Sequence, residues 1–320
     1  MKRALVVGSS GQDGQLLLER LSGDGCAVLG IDLDTVTGIC LDDELYNIVN
    51  IQHAGAVEQL VKRLVPDEVY YLAAHHHASE EHPHEAEELR ASHDVHVMGL
   101  VNFLEAIRKH APRSHLFYAG SSQMFGQPLL TSPQDESTRF APRNAYAITK
   151  VAGAHVCALY REQYDVHASV GILYNHESPL RGPRFVSSRI TRGARQATRD
   201  PDFKLTIGSL AATVDWGYAP DYVDAMVRMV RLPDAGDYVI ATGELHTVRD
   251  FVEIAFEHVG LDWHAHVVEN PTLVRPSSGV LAGDTSKLRA RTDWKPTLGF
   301  ETMVRLLVDA ALRGENKGAP

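Results

Sequence analysis

The sequence predicts an α/β fold, a Rossmann-type doubly wound parallel sheet with a smaller C-terminal substrate-binding domain. Short β-branched apolar runs alternate with segments of helical periodicity through residues 1–175. The first of these runs leads into a glycine-rich turn, and from about residue 176 the alternation gives way to loops rich in Pro, Arg and Gly. We therefore predict a Rossmann domain over residues 1–175, with later segments interleaved, and a mainly substrate-binding domain over residues 176–320.

The N-terminal unit carries the first functional motif. An apolar run at residues 3–8 leads into the turn GSSGQDG, and a helical leucine stripe follows before the strand that ends at Asp32. Strand, glycine turn, helix, strand and acid in this order are typical of a dinucleotide-binding unit, although the glycine spacing here is G-x-x-G-x-x-G. Glycines let the backbone approach a pyrophosphate, which then lies on the helix N-terminus. The residues predicted to bind the cofactor in this unit are Gly8, Gly11, Gln12, Asp13, Gly14 and Asp32.

Asp32 indicates which dinucleotide is bound. A carboxylate at the end of this strand accepts hydrogen bonds from a ribose hydroxyl and repels a 2′-phosphate, so we expect NAD, with NADP the less favoured cofactor. The alternative is an aspartate that caps a helix or stabilises a turn, and the sequence leaves that alternative open.

Later strands place further residues at the same edge of the sheet. The predicted strands are residues 68–74, 114–122 and 167–174, and the predicted helices are residues 56–65, about 84–110 and 145–163. Ligands of parallel sheets bind outside the carboxyl ends of the strands. We therefore expect residues 8–14, 73–77 and 120–123 to converge on one crevice.

A tyrosine and a lysine mark the predicted reaction centre. Tyr146 and Lys150 are four residues apart on a predicted helix, so they share one face. An ammonium beside a phenol lowers the tyrosine pKa towards the range of a general base, and Ser121 at a strand end is placed to hold the same substrate oxygen. These groups suit the transfer of an alcohol proton while a hydride moves to or from its carbon. The alternative is an ordinary helix pair, because the Y-x-x-x-K pattern often occurs by chance.

Charge and composition argue against several classes of protein. The formal charge of -10 argues against nucleic acid or an anionic membrane as a partner. Cys26, Cys40 and Cys157 fit neither a disulfide framework nor a zinc pattern. The apolar run near the N-terminus is too short for a signal peptide or a membrane span. We expect a cytoplasmic enzyme with no nucleic-acid or membrane partner.

Taken together, these motifs resemble those of the extended short-chain dehydrogenase/reductases that act on nucleotide sugars, and more narrowly those of the GDP-mannose 4,6-dehydratase family. The likeness covers nearly the whole chain, and residues 175–182 are its most specific part. The matching stretches are residues 8–14, 71–74 with His77, 146–150, 171–182, 185–186, 215–223, 240–243 and 294–296.

The resemblance implies a reaction and roles for specific residues. NAD(P) oxidises C4 of the sugar, the resulting ketone acidifies the C5 proton, water is lost across C5–C6, and hydride returns to C6. Ser121, Tyr146 and Lys150 carry the oxidation step, and the helix of Tyr146 is implied to pair with a second copy in a homodimer. The residues implied at the cofactor are Leu72, Ala73 and Ala74, together with Tyr146 and Lys150. Those implied at the substrate, a nucleotide sugar expected to be GDP-linked, are His77, Ser122, Asn175, Arg181 and Arg275.

Three departures from the family pattern bear on this reading. Gln123 stands in the catalytic set where the family has a Glu that acts as base at C5 and as acid at the C6 hydroxyl, and an amide does not exchange a proton at a useful pKa. The family's arginine pair for the 2′-phosphate of NADP is replaced by Asp32-Leu-Asp34, which agrees with NAD. Val214 replaces an arginine, and the stretch after Arg275 is one residue shorter and lacks a Glu, which alters the expected diphosphate and ribose contacts.

A histidine-rich stretch at residues 75–84 allows three interpretations. In one, His77 or Glu80 supplies a replacement base beside the nicotinamide. In another, a metal is bound by His75, His76, His77 and His82, with or without His93 and His96, although adjacent side chains diverge. In the interpretation that we favour, the stretch is a polar loop in which His77 contacts substrate or backbone, and we predict no metal site.

Three functions remain open from the sequence. The enzyme either is a complete 4,6-dehydratase with a substitute base, or performs only C4 redox chemistry as a 4-reductase, 4-epimerase or dehydrogenase. The third possibility, a catalytically silent NAD-binding protein, is opposed by the presence of Ser121, Tyr146 and Lys150. We favour an NAD-dependent enzyme that acts at C4 of a GDP-type sugar.

Overall fold

A computed structural model describes residues 1–33, 36–38, 49–75, 85–126, 133–270, 272 and 281–315. Some residues named above lie outside these ranges. They are Asp34, Cys40, His76, His77, Glu80, His82 and Arg275.

The described chain alternates strands and helices through most of its length. The strands are β1 Arg3–Val7, β2 Ala27–Ile31, β3 Val36–Gly38, β4 Glu68–Tyr71, β5 His115–Ser121, β6 His167–Leu173, β7 Asn175–Glu177, β8 Leu205–Ile207, β9 Thr213–Val214, β10 Trp216–Tyr218, β11 Asp237–Ile240, β12 His246–Thr247 and β13 Val267–Glu269. The helices are α1 Gln12–Gly23, α2 Ala54–Leu64, α3 Glu85–His93, α4 Leu100–His110, α5 Ala145–Tyr164, α6 Val186–Ala197, α7 Ala219–Val230, α8 Val248–His258, α9 Ser286–Thr292 and α10 Phe300–Arg313. Within the described ranges, none of these helices is long and apolar enough to cross a membrane.

A seven-stranded sheet forms the centre of the molecule, in the order β11-β6-β5-β4-β1-β2-β3. Six strands are parallel, and only β3 runs antiparallel to its neighbour β2. Residues 4–7 of β1 are at most 1% exposed, as expected for a central strand with helices on both faces. The predicted α/β fold with a doubly wound parallel sheet is confirmed.

Register aligns the carboxyl ends of the central strands. Val7 at the end of β1 lies opposite Ile31 of β2 and Tyr71 of β4. Tyr71 in turn pairs with Tyr118 in β5, which continues to Ser121. The loops after β1, β4 and β5 therefore leave the sheet at the same edge.

The helix predicted at about residues 84–110 is interrupted in the structure. Residues Asp94–Gly99 form a π-helical turn between α3 and α4. The hydroxyl of Tyr71 donates a hydrogen bond to the carbonyl of Val95 at this turn. A Cβ on Gly99 would lie 2.4 Å from the same hydroxyl oxygen, so the tyrosine occupies the space that a regular helix with a side chain here would need. Such π-turns frequently lie at functional sites.

The buried apolar residues form two clusters. One surrounds the central sheet and includes residues of α7 and β11, which lie beyond residue 176 in the chain. The other packs α6, α8 and α10 around Trp216, Phe251 and Phe300. The division into a Rossmann domain at 1–175 and a substrate-binding domain at 176–320 stays a prediction.

Candidate active site

Two predicted cofactor segments touch at the carboxyl edge of the sheet. The backbone N–H of Leu72 donates to the carbonyl of Val7 at 2.8 Å. Gly8 has a positive φ of 91°, and a Cβ at this position would lie 2.8 Å from the backbone nitrogen of Ala73. Only glycine tolerates both conditions. Leu72 and Ala73 are half-buried against the core and Ala74 is exposed, so the structure brings the glycine loop and residues 72–74 together.

The glycine loop leaves polar groups available for an anionic ligand. Helix α1 begins after Gly11, which has no side chain to cap the first N–H groups. Gly14 packs against the loop so closely that a Cβ would lie 2.3 Å from the carbonyl oxygen of Gly8. The hydroxyl of Ser9 is buried and makes no hydrogen bond within the described residues. An uncapped helix N-terminus with an unpaired buried hydroxyl beside it fits a pyrophosphate group.

Asp32 is held by the glycine loop in this structure. Its Oδ2 accepts a hydrogen bond from the backbone N–H of Ser10 at 2.9 Å and another from the Ser10 hydroxyl. Its Oδ1 accepts the N–H of Leu33 at 2.8 Å. These contacts are of the turn-stabilising kind that the sequence left open. The side chain remains partly exposed, and its contact with a ribose stays a prediction.

Ser121, Tyr146 and Lys150 lie together, as predicted from their positions in the sequence. Ser121 ends β5 and hydrogen-bonds Tyr146, which lies in the first turn of α5. Lys150 lies one turn further along α5, with its Nζ 5.6 Å from the centroid of the Tyr146 ring. This Nζ donates a hydrogen bond to the carbonyl of Ala119 at 2.8 Å. The side chain of Lys150 is 1% exposed, so the amine lies in the interior beneath the tyrosine.

The expected lowering of the Tyr146 pKa is not found in this structure. Burial raises the pKa of Tyr146 to about 12, and the hydrogen bond from Ser121 only partly offsets that rise. Burial also lowers the pKa of Lys150 to about 7, so the amine is not held as a permanent cation next to the phenol. Desolvation therefore outweighs the attraction on which the sequence argument relied. In the protein alone, the phenol of Tyr146 favours its neutral form, and the amine of Lys150 is divided between its charged and neutral forms near neutral pH.

His96 supports Tyr146 from the π-helical turn. Its ring lies edge-on to the Tyr146 ring, with 5.2 Å between centroids, and is completely buried. Its Nε2 accepts the backbone N–H of His75 at 3.0 Å, so this nitrogen carries no proton. Its Nδ1 then donates to the hydroxyl of Thr149 at 2.8 Å. His96 thereby links the loop after β4 to the helix that carries the tyrosine and the lysine.

The glycine loop is also tied to the segment after β6. Gln12 donates from Nε2 to the carbonyl of His176 at 3.1 Å and accepts the hydroxyl of Ser178 at 2.9 Å. Asp13 Oδ2 lies 2.9 Å from Nε2 of His176. These contacts join the predicted cofactor loop to the stretch that begins at Asn175.

Of the predicted nucleotide-sugar residues, three lie within the described chain. Ser122 is buried at the start of the short 3-10 helix Ser122–Phe125, and Asn175 is exposed at the start of β7. Arg181 has its guanidinium 3.6 Å from the centroid of the Phe185 ring, and its Nε lies 3.2 Å from Oε2 of Glu177. The positive charge of Arg181 favours the ionised forms of both Asp13 and Tyr146, so Arg181 lies on the same side of the crevice as these residues.

Comparisons with known proteins decide the family. The family model described as GDP-mannose 4,6 dehydratase matches residues 5–307. The chain belongs to the GDP-mannose 4,6-dehydratase family. GDP-mannose 4,6 dehydratase 1 of Arabidopsis thaliana is 38% identical over an alignment of 330 positions, which covers 97% of this chain and 90% of that protein. GDP-mannose 4,6 dehydratase of Drosophila melanogaster is 33% identical over 97% of this chain and 86% of its own length.

A solved structure supports the same fold. The dTDP-glucose 4,6-dehydratase of Bacillus anthracis, determined in complex with NAD, superposes with a TM-score of 0.83 over 99% of both chains at 18% identity. The family model and the curated relatives confirm the sequence-based assignment to the GDP-mannose 4,6-dehydratase family, and this structure confirms the fold.

Gln123 is the residue that the sequence predicts to stand where the GDP-mannose 4,6-dehydratase family has a catalytic Glu. Its backbone N–H donates to the hydroxyl of Ser121 at 3.3 Å, which places it beside the Ser121–Tyr146 pair. Its Oε1 accepts a hydrogen bond from Nδ2 of Asn144 at 3.0 Å. Asn144 also caps α5, because its Oδ1 accepts the N–H of Ala147 at 2.8 Å.

The sequence argument missed His96, Asn144 and His176 as site residues. Asn144 had a usable signal, because an asparagine just before a predicted helix is a preferred cap. His176 lies in the specific run at residues 175–182 but carries no spacing that pairs it with Asp13. His96 gave no signal for this role, because its contact with Tyr146 depends on how two helices pack.

Within the described residues, no group of three or more His, Cys, Asp and Glu side chains is arranged to hold a metal ion. Nε2 of His75 lies 3.1 Å from Oε2 of Glu88, and His96 is committed to Thr149 and the His75 backbone. His93 lies at the end of α3. The other histidines of the metal interpretation fall outside the described residues.

Proposed function

We propose that the protein is an NAD-dependent nucleotide-sugar enzyme that oxidises or reduces C4 of a GDP-type sugar. The observation that carries this proposal is the Ser121–Tyr146 hydrogen bond above the buried amine of Lys150, at the carboxyl end of β5. This set of groups can move the proton of an alcohol whose carbon exchanges a hydride. Membership of the GDP-mannose 4,6-dehydratase family supports a nucleotide sugar as the substrate.

In the proposed mechanism, Ser121 and Tyr146 hold the C4 hydroxyl between them. Tyr146 accepts the hydroxyl proton during oxidation and returns it during reduction. Its raised pKa means that the protein alone holds the phenol protonated, so deprotonation requires a positive charge close to the ring. Lys150 supplies such a charge when its amine is protonated, because its pKa of about 7 lies within the physiological range. Burial of Lys150 keeps this charge away from solvent.

The residues of the glycine loop fit NAD, which accepts or returns the hydride when it is bound. The N–H groups that begin α1 and the Ser9 hydroxyl would hold the pyrophosphate, and Leu72 and Ala73 would line the adjoining wall. Asp32, directly after β2, would accept a hydrogen bond from a ribose hydroxyl and repel the 2′-phosphate of NADP. The Bacillus anthracis dTDP-glucose 4,6-dehydratase, which has the same fold, was determined with NAD, and the choice of NAD over NADP in this chain rests on Asp32.

The nucleotide-sugar residues of the proposal are Ser122, Asn175 and Arg181, together with His77 and Arg275 outside the described ranges. The guanidinium of Arg181 is the positive group that the described crevice offers to a diphosphate beside Asp13 and Tyr146. The names of the curated relatives support a GDP-linked sugar.

Elimination of water is the half of the family reaction that Gln123 disfavours in this chain. Gln123 has no titratable proton, so the amide cannot remove a C5 proton. For this reason we favour C4 redox chemistry, as a 4-reductase, 4-epimerase or dehydrogenase.

A complete 4,6-dehydratase is the second candidate, because the curated relatives carry that name. It requires a substitute base, for which His77 and Glu80 remain the candidates outside the described residues. A catalytically silent NAD-binding protein remains a less favoured alternative, because the Ser121–Tyr146–Lys150 arrangement is intact.

An exposed apolar stripe on α5 supports a homodimer. Ile148 is 46% exposed and Leu159 is 50% exposed, and they lie 11 residues apart, or about three turns of helix, on the same face. Met98, in the π-helical turn that packs against α5, is 45% exposed. A second copy would cover this stripe, as apolar helix faces are buried in stable assemblies. A cytoplasmic location is proposed from the sequence alone.

The experiment is incubation of the protein with GDP-mannose and NAD, followed by mass spectrometry of the nucleotide sugar. C4 redox chemistry gives a product two hydrogens lighter, or an isomer that is separated by chromatography. Loss of one water supports the complete dehydratase instead. No change with GDP-mannose or with a panel of UDP-, dTDP-, ADP- and CDP-hexoses in the presence of NAD, together with no reduction of the corresponding 4-keto sugars in the presence of NADH, contradicts the proposal that the protein acts on nucleotide sugars.

A further inference from the structure

We propose that Gln123 is a specificity-determining residue whose side chain presents its N–H groups, and not its carbonyl oxygen, to the sugar. The substrate is then a sugar with an oxygen acceptor next to the carbinol that reacts. This inference rests on the proposed function, and it concerns the orientation of one amide, which the contacts of Asn144 determine.

The orientation of Asn144 follows from the end of α5. Its side-chain oxygen accepts the backbone N–H of Ala147 at 2.8 Å. A backbone N–H only donates, so the Asn144 atom that faces it must be Oδ1. The amide nitrogen Nδ2 therefore points to the other side.

The orientation of Gln123 follows from Asn144. Nδ2 of Asn144 lies 3.0 Å from the Gln123 side chain. An amide nitrogen has no acceptor, so the Gln123 atom that faces it must be Oε1. Nε2 of Gln123, with two N–H groups, makes no hydrogen bond within the described part of the chain. The Gln123 side chain is half-buried, and its backbone N–H is anchored on Ser121 at 3.3 Å.

This arrangement selects for an acceptor on the sugar. If Ser121 and Tyr146 hold the C4 hydroxyl, the nearest other hydroxyl oxygens on a hexopyranose are those on C3 and C6. An N–H that faces a sugar without such an oxygen loses its partner, and the enzyme then binds that sugar more weakly. We expect a difference of about tenfold in Kd for a half-buried neutral donor.

The first test needs no substrate. Side-chain amide exchange with solvent is measured by NMR after selective ¹⁵N labelling of Asn and Gln. In the wild type, the Asn144 side-chain amide should exchange slowly, and this protection should be lost in Gln123→Met. In Asn144→Asp, which keeps the helix cap, the carboxylate should reverse the Gln123 amide, so that the Gln123 N–H groups become the protected ones. A protected Gln123 amide in the wild type would overturn the inference.

The second test measures Kd for GDP-mannose and for its 3-deoxy and 6-deoxy analogues by calorimetry, with NAD bound. The wild type should bind one deoxy analogue about tenfold more weakly than GDP-mannose, and Gln123→Met should bind both equally. Equal binding by the wild type, or unchanged discrimination in Gln123→Met, overturns the inference. If the wild type binds none of the three, the proposed GDP-sugar substrate is wrong, and the amide-exchange result alone decides the orientation of Gln123.

Discussion

Asp13 and His176 form a buried ion pair between the glycine loop and strand β7, with 2.9 Å between Oδ2 and Nε2. Nδ1 of His176 lies 2.6 Å from the carbonyl oxygen of Tyr174, so both ring nitrogens face acceptors. Burial alone would lower the pKa of His176, but Asp13 outweighs it and raises that pKa. Burial alone would raise the pKa of Asp13, but His176 and Arg181 outweigh it and lower that pKa. The pair is therefore a histidinium and a carboxylate that hold two loops of the site together.

Removal of one charge from this pair should destabilise the protein. Asp13→Asn leaves a buried imidazolium without its carboxylate, and we expect a loss of about 3 kcal/mol in the free energy of unfolding measured in urea. The loss should be largest between the ordinary pKa values of 3.8 for Asp13 and 6.5 for His176. It should shrink as the pH rises through the raised pKa of His176, because the histidine is then neutral.

A surface pair provides the control for Asp13→Asn. Glu301 and Arg305 form an ion pair one helical turn apart, and the Glu301 side chain is 64% exposed. Glu301→Gln should leave stability almost unchanged. Equal stability of Asp13→Asn and the wild type would mean that the Asp13–His176 pair contributes no net stabilisation.

The sequence predicted the sheet and the convergence of the three loops because both follow from local patterns. Apolar runs typical of parallel strands, and the glycines that follow them, can be recognised without knowledge of the tertiary structure. The same reasoning placed Ser121 beside Tyr146. The observed bounds of β5 and α5 are close to the predicted ones, so Ser121 lies at the end of its strand and Tyr146 at the start of its helix.

What the sequence could not predict depends on packing. The pKa of Tyr146 was expected to fall because Lys150 is one helical turn away, but sequence spacing does not reveal how deeply both groups are buried. The orientation of the Gln123 amide likewise depends on Asn144, which lies 21 residues further along the chain. The π-helical turn at residues 94–99 accepts a hydrogen bond from the hydroxyl of Tyr71 in β4, a contact between distant segments that sequence spacing does not reveal.

The close packing within the glycine loop leads to a second prediction. In Gly14→Ala the new Cβ would lie 2.3 Å from the carbonyl oxygen of Gly8 and 2.6 Å from Cα of Ser9, so the loop must shift. We expect NAD affinity to fall at least about tenfold, as measured by calorimetry, because the first N–H groups of α1 move with the loop.

Gly23 at the other end of the same helix provides the control, since a Cβ there has no neighbour within 4 Å. Gly23→Ala should keep NAD affinity and stabilise the protein by about 0.5 kcal/mol. Unchanged NAD affinity in Gly14→Ala would show that the loop does not hold the cofactor.

A stacked pair of histidines should make the protein less stable in mild acid. The rings of His115 and His167 lie 3.6 Å apart at the start of β5 and β6, and Nδ1 of His167 is buried without a hydrogen-bond partner in the described chain. Burial, with a smaller contribution from His115, lowers the pKa of His167 below 6.5. Between the lowered pKa and 6.5 the unfolded chain binds more protons than the folded one, so stability falls as the pH falls through this window.

The pH effect can be assigned to His167 by comparing variants. The difference in unfolding free energy between neutral pH and about pH 5.5 should be smaller in His167→Gln than in the wild type. His264, whose side chain is 70% exposed and 2.8 Å from Asp262, provides the control, and His264→Gln should keep that difference. If His167→Gln shows the full wild-type loss, other groups cause the acid sensitivity.

Tyr146→Phe should abolish hydride transfer, because it removes the hydroxyl that exchanges the C4 proton. The phenylalanine ring keeps the packing against His96, so the fold and NAD affinity should be retained. We expect kcat to fall by about 10²- to 10⁴-fold, as is usual when a general acid–base is lost. Tyr164 on the same helix is 51% exposed, and Tyr164→Phe should be fully active. Activity of Tyr146→Phe close to that of the wild type would refute the assignment of the general base.

Gln123→Glu should create or strengthen 4,6-dehydratase activity. The new carboxylate would accept the hydrogen bond that Nδ2 of Asn144 now gives to the amide, so it would remain beside Ser121. A carboxylate can take a proton from carbon adjacent to a ketone, which the amide cannot. The amount of nucleotide sugar that has lost one water is measured by mass spectrometry, and we expect it to rise about 10²-fold.

Gln123→Met is the matched control, because it has a similar length and no proton to exchange. If Gln123→Glu yields no more of this product than Gln123→Met, residues other than Gln123 block elimination, and the single amide does not explain the difference from the dehydratases.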